Sequence, residues 1–206
     1  MKTFLTTTAL AVSLITPALA GSPTAFVLEE PQVAAIAAEA TDWSGPYAGG
    51  MVSFASGESN FSHTKGSRVY DMLDTTQYGG FLGYNFQRGN VVFGVEAAYL
   101  TGRMERATDS YYAYDWFADL KGRVGYAFGD ALVYGVAGAS WAGYDYDTYP
   151  ETHNGFNYGI GVDYLITEKL FVGIEYLRRD VSLDTGHDES RGGEIQSIQV
   201  RAGLTF

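Results

Sequence analysis

Three groups of residues in this chain have the types and spacing to do chemistry. His63, His153 and His187 could ligate a metal, but no carboxylate pair near any of them has ligand spacing. No metal and no other cofactor is therefore expected. Ser182, Asp184 and His187 have the types of a hydrolytic triad, yet a triad is defined by geometry and nothing in the sequence orients these three. The third group is a set of charges placed inside apolar runs. Glu96 stands in the middle of "VVFGVEAAYL", where a carboxylate is costly unless a partner receives it. Asp119, Lys121, Arg123, Asp163, Glu175 and Arg201 occupy equivalent places in other runs. Acids and bases in this set nearly balance, as buried charges must if they pair. The chemistry expected of them is ion pairing in an enclosed space.

The elements that hold these charges read as strands. Eight runs of about ten residues alternate apolar and polar positions, near 46–56, 74–86, 91–101, 114–127, 131–142, 154–166, 170–180 and 194–206. About ten residues is the length a tilted strand needs to cross a bilayer. The connections alternate as well. "QRGN", "FGD" and "TEK" are tight turns, whereas 57–73, 102–113, 143–153 and 181–193 are polar stretches expected to be long loops. Short turns at one end and long connections at the other mark an up-and-down barrel in a membrane.

The faces support this reading over a soluble lipocalin-like barrel. One parity of every run carries no charge, and its aromatics form two belts. Phe54, Tyr78, Tyr99, Trp116, Trp141, Tyr158 and Tyr176 fall near the long connections. Tyr84, Phe86, Phe93, Tyr126, Tyr164 and Phe206 fall near the tight turns. Two girdles around a band of small and aliphatic residues suit contact with lipid. The other parity holds the seven charges, so Glu96 points into the barrel. Eight strands leave an interior just wide enough for side chains to fill. The Gly-rich stretches "YGVAGA" and "NYGIGV" lie within strands, where they make room for lumen side chains and lack the context of a phosphate loop. The runs "YYAYDW" and "YDYDTYP" read as an aromatic belt continued above the membrane.

The first twenty residues, "MKTFLTTTALAVSLITPALA", have one lysine, a short apolar core and an A-x-A exit, and so read as a secretory signal peptide cut after Ala20. Residues 21–42 are expected to be a flexible periplasmic leader, and 43–206 the barrel domain. The chain is acidic, with a formal charge of −11 that becomes one unit more negative without Lys2. That disfavours nucleic acid as a partner. There is no cysteine, so disulfides do not hold this exported chain.

Several segments in fixed order resemble a known family. "DWSGPYAGG" (42–50) is followed by "GGFLGYNFQ", "FGVEAAY", "DLKGRVGYAF", "GVDY", "VGIEYL" and "VRAGLTF". Together they resemble the small eight-stranded outer-membrane proteins of the Omp25/Omp31 type, common in alphaproteobacteria, over about 43–206. The resemblance implies an all-β, eight-stranded antiparallel transmembrane barrel in the bacterial outer membrane, inserted by the barrel-assembly machinery with periplasmic chaperones. It implies lipid and lipopolysaccharide as surroundings and Phe206 as part of the assembly signal. Unlike OmpA-type proteins, the chain is expected to have no peptidoglycan-binding domain after the barrel. The function expected is non-enzymatic, structural or surface-interacting, with a lumen filled by paired charges. The alternatives are a narrow pore for small solutes and a lipid-modifying outer-membrane enzyme.

Overall fold

A computed structural model describes residues 41–63, 66–146, 149–184 and 189–206. The signal peptide and nearly all of the leader expected at 21–42 lie outside these residues. Eight strands follow one another: β1 (Gly45–His63), β2 (Gly66–Arg88), β3 (Val91–Arg106), β4 (Asp109–Phe128), β5 (Ala131–Tyr146), β6 (Tyr149–Leu165), β7 (Leu170–Asp184) and β8 (Glu189–Thr205). Each pairs antiparallel with its neighbours in sequence, and β1 pairs with β8 to close the barrel. Closure satisfies the backbone of every strand within the sheet, which is what a strand in hydrocarbon requires.

The three tight turns occur where expected, the third closed by Ile166 N–H donating to the Leu170 carbonyl at 2.8 Å. Gly89 (φ 62°) and Gly129 (φ 58°) sit in the left-handed region, which a glycine enters without steric cost. Among the described residues the four long loops do not occur. The stretches at 57–73, 102–113, 143–153 and 181–193 are mostly continued strand. Pairing runs on to His63↔Gly66, Arg106↔Asp109, Tyr146↔Tyr149 and Asp184↔Ser190. Ala107 and Thr108 alone turn β3 into β4. Beyond the lipid the outward face of a strand meets water, so the strict apolar alternation of the lipid-facing part is not needed and little of it is written in the sequence. The hairpins are held there by their backbone ladders. Register shifts interrupt this outer part between Ala55 and Gly57, Met72 and Tyr78, Thr101 and Met104, Glu105 and Arg106, and Tyr114 and Trp116. All lie beside or beyond the girdle at that end, where bulges bend and twist strands without breaking the lipid-facing ladder.

The uncharged face is the outer one. Tyr78, Leu82 and Ile160 are 60%, 64% and 68% exposed, and both aromatic girdles encircle the wall. A continuous exposed apolar band of this extent marks a surface that meets something other than water. The interior is layered. At the tight-turn end Trp43, Tyr47, Phe81, Leu132 and Phe171 pack together. At the hairpin end Met72, Met104, Tyr114, Phe117 and Ile195 form a second apolar layer. The charges lie between them. Trp43 precedes β1 yet is buried in the lumen, edge-on to Phe171 at 6.0 Å, with its backbone N–H donating to Gln87 Oε1 at 2.8 Å. Thr41 joins the same closure by donating from its hydroxyl to Asp130 at 2.6 Å.

Candidate functional site

The inward parity of five strands builds one ionic core. Glu96 on β3, Lys121 and Arg123 on β4, Asp163 on β6, Glu175 on β7 and Arg201 on β8 are all buried. Arg201 is the hub. Its Nη1 and Nη2 donate to Glu96 at 3.2 and 2.5 Å, Nη1 also donates to Glu175 at 3.1 Å, and Nε lies 3.6 Å from Asp163. Lys121 bridges the same two glutamates, at 2.9 Å to Glu96 and 2.5 Å to Glu175. Arg123 donates to Asp163, and its guanidinium lies 3.6 Å from the centre of the Tyr134 ring. Glu96, the carboxylate inside an apolar run, thus has two cations and the Tyr47 hydroxyl, which donates at 3.0 Å.

A second unit lies toward the hairpin end. Asp119 receives Arg179 through Nε at 3.1 Å and Nη2 at 2.7 Å, a forked geometry that only arginine provides. Ser140 and Asn157 also donate to Asp119, at 2.5 and 3.3 Å. Arg179 is the functional residue missed by sequence reasoning. It shares the parity of Glu175 on β7, so the period-two rule could have found it. With it the interior holds four acids and four bases, which removes the imbalance of the seven-residue set. Glu96 and Arg123 make no direct pair. Pairing across a barrel depends on stagger and rotamer, and these direct Arg123 to Asp163.

Glycines opposite the two tyrosines make the network fit. A Cβ on Gly83 would lie 2.4 Å from the Tyr47 ring, and one on Gly161 would lie 2.4 Å from that of Tyr134. Those gaps let each hydroxyl reach its carboxylate. Tyr134 and Val136, apolar residues on the polar parity of β5, fill the lumen.

The other candidates are scattered. His153 is buried beyond the outer girdle. It stacks on Tyr144 (centroids 4.8 Å apart), and its Nδ1 lies 3.1 Å from the Tyr114 hydroxyl. Burial pulls its pKa down to about 4, against an opposing pull from Glu151. His187 and the side chains of His63 and Asp184 lie outside the described residues, and the Ser182/Asp184/His187 trio with them. Among the described residues no three His, Cys, Asp or Glu side chains gather as metal ligands. Phe206 is 71% exposed on the wall, and its backbone N–H donates to the Pro46 carbonyl at 3.0 Å. On the outside of the wall above the girdle, Arg103 meets Asp115 at 2.9 Å and Asp145 at 3.3 Å, while Arg178 meets Glu194.

A closed barrel with an apolar belt outside and a neutral ionic core inside defines a class: the small membrane-embedded barrels. Comparison with known proteins places the chain within it. Residues 31–206 match the family of the outer membrane protein beta-barrel domain. The chain is 31% identical over 180 residues to the 22 kDa outer membrane protein of Rhizobium leguminosarum bv. viciae, with 81% of this chain and 80% of that protein covered. It belongs to the outer membrane beta-barrel family, and its place is the bacterial outer membrane. Among solved structures, OprG from Pseudomonas aeruginosa superposes with a TM-score of 0.55 at 11% identity, covering 79% of this chain and 96% of that one, and so shares the fold. Neisserial surface protein A gives a TM-score of 0.48 at 14% identity, with 79% and 98% covered.

Proposed function

We propose that this protein is a non-enzymatic barrel with a sealed lumen, serving a structural or surface-interaction role in the outer membrane. The observation that carries the reading is the neutral four-acid, four-base core held between two apolar layers. A pore needs a continuous polar path, and here Trp43 and Phe171 lie below the charges and Tyr114 and Phe117 above them. An even strand count and the export signal read at 1–20 put both termini in the periplasm and the long hairpins outside. Arg103 and Arg178 then stand at headgroup height, each compensated by acids, facing lipopolysaccharide. Phe206, exposed at the end of β8, serves as part of the signal read by the assembly machinery. Deleting it lowers the amount of inserted protein, and unchanged insertion would remove that role.

The test of the sealed lumen is planar-bilayer recording of the refolded full chain. Little steady conductance is expected. A large open current would favour the narrow-pore alternative.

A further inference from the structure

Above the outer apolar layer the barrel mouth contains a cavity of about 320 Å3, at the small end of ligand pockets. Its floor and walls come from the extended parts of β1, β2, β3, β4, β5 and β8, the strand segments expected to be loops. Arg106 is its centre. The guanidinium lies over the rings of Tyr70 and Tyr112, at 4.2 and 4.3 Å from their centroids, so it is held rigid in the cavity lining. It donates to Ser59 Oγ at 3.4 Å and Tyr144 Oη at 3.2 Å, but its buried Nε has no partner.

No carboxylate pairs with Arg106 among the described residues. This is unexpected in a chain with 24 acids and 13 lysines and arginines. Every other arginine that is not left on the open surface has an acid: Arg123, Arg179 and Arg201 in the lumen, Arg178 on the wall, and Arg191 in this same cavity, 3.3 Å from Glu151. A rigidly held guanidinium with an unpartnered Nε still has donors to offer a carboxylate or phosphate. Beside it the buried Asn60 Oδ1 also has no partner and is an acceptor for a hydroxyl. Phe61, under Arg191 at 5.8 Å, adds an apolar wall. A cation with no acidic partner among the described residues, an unpartnered acceptor and aromatic walls around a volume for one ring describe a specific ligand chemistry.

We propose that this cavity binds a single sugar ring bearing one anionic group. Arg106 takes the anion, Asn60 accepts a ring hydroxyl, and the aromatic walls cover the C–H face of the ring. The proposal rests on the surface-interaction reading above. The sealed lumen is tested separately by conductance, so either can fail alone. Such a sugar can come from the acidic core of the cell's own lipopolysaccharide or from a glycan outside the cell.

The experiment is calorimetric titration of the refolded full chain in lipopolysaccharide-free micelles with glucuronate, glucose, inorganic phosphate and deacylated lipopolysaccharide core. Glucuronate is expected to bind at least tenfold tighter than glucose and than phosphate. Arg106→Gln is expected to weaken it at least tenfold and Asn60→Ala at least threefold. Arg178→Gln, on the outer wall, leaves it unchanged. A core oligosaccharide that binds tenfold tighter than glucuronate assigns the ligand to the cell's own membrane, and one that binds no tighter assigns it to an external glycan. Equal binding of glucose and glucuronate overturns the proposal. So does phosphate matching glucuronate, or a folded Asn60→Ala variant with undiminished affinity.

Discussion

The Asp119–Arg179 pair offers a sharp test of the ionic core, because it is separable from the Arg201 cluster. Arg179→Met leaves Asp119 with only Ser140 and Asn157, neither of which is charged. Asp119→Leu leaves Arg179 with Ser197 Oγ at 3.3 Å and the Phe117 ring at 5.2 Å. Both side chains are buried between the two apolar layers, and on the proposed sealed lumen the site is dry. Breaking a buried pair by removing one partner costs about 3–5 kcal/mol, whereas replacing both with apolar residues is near neutral or stabilising by about 1–4 kcal/mol. The double variant is therefore expected to lie close to the wild type, with a coupling of at least about 2 kcal/mol. The assay is reversible urea unfolding in lipid vesicles for all four proteins of the cycle, with heat-modified gel mobility confirming insertion. Additivity within about 0.5 kcal/mol, the behaviour of independent sites, would refute the pairing and with it the dry lumen. The same cycle run on Glu96 and Arg201 is expected to couple more strongly than Glu96 and Arg123, since only the first two touch.

Gly161→Ala pushes a methyl group into the Tyr134 ring and displaces its hydroxyl from Asp163. A loss of about 1–3 kcal/mol is expected in the same unfolding assay, and an unchanged midpoint would show that the ring has room to move. His153 gives a pH signature. Its folded-state pKa, about 4, lies below the unfolded value of about 6.5, so the unfolded chain takes up the proton first. The stability it contributes is complete above about pH 6.5 and is lost as pH falls toward 4, by at most about 3 kcal/mol. Glu151, Arg191, Tyr114 and Tyr144 face the ring, so the comparison is with His153→Asn, which leaves them in place. That variant should have a flatter stability curve between pH 6.5 and 4, and identical curves would exclude the histidine as the source.

The lipid-spanning part was legible because the bilayer writes a period of two into the sequence. Glu96 and Arg201 fall on the inward face on that rule alone, and both girdles fall on the outward one. What was not legible follows from where that rule stops applying. The upper halves of β1 and β2 carry "SGESNFSH" and "SRVYDMLDTT", which show little alternation because the outward face meets water while Ser59 and Met72 still turn inward. They are strands by virtue of their partners. The identity of each ion pair was equally hidden, since parity gives the face and says nothing about which cation reaches which acid across the lumen. Arg106 illustrates the limit further. It lies beyond the period-two region, and only the approach of Tyr70 and Tyr112 gives it a place. Trp43, ahead of the first strand, carried no pattern to show that it turns into the barrel.

The continuous hairpins have a further consequence. The ladder between β1 and β8 runs to His63↔Glu189, so the wall stays closed to its rim. From Tyr99 to Arg106 the strand climbs roughly 23 Å along its axis at about 3.3 Å per residue. The molecule therefore meets the outside as a stiff stalk whose only short interruption within the described residues is Ala107–Thr108. Changes in chain length can be absorbed at such tips and hardly anywhere else. That makes the barrel a scaffold for display: a peptide grafted between Ala107 and Thr108 would be carried clear of the sugar layer on a continuous strand pair.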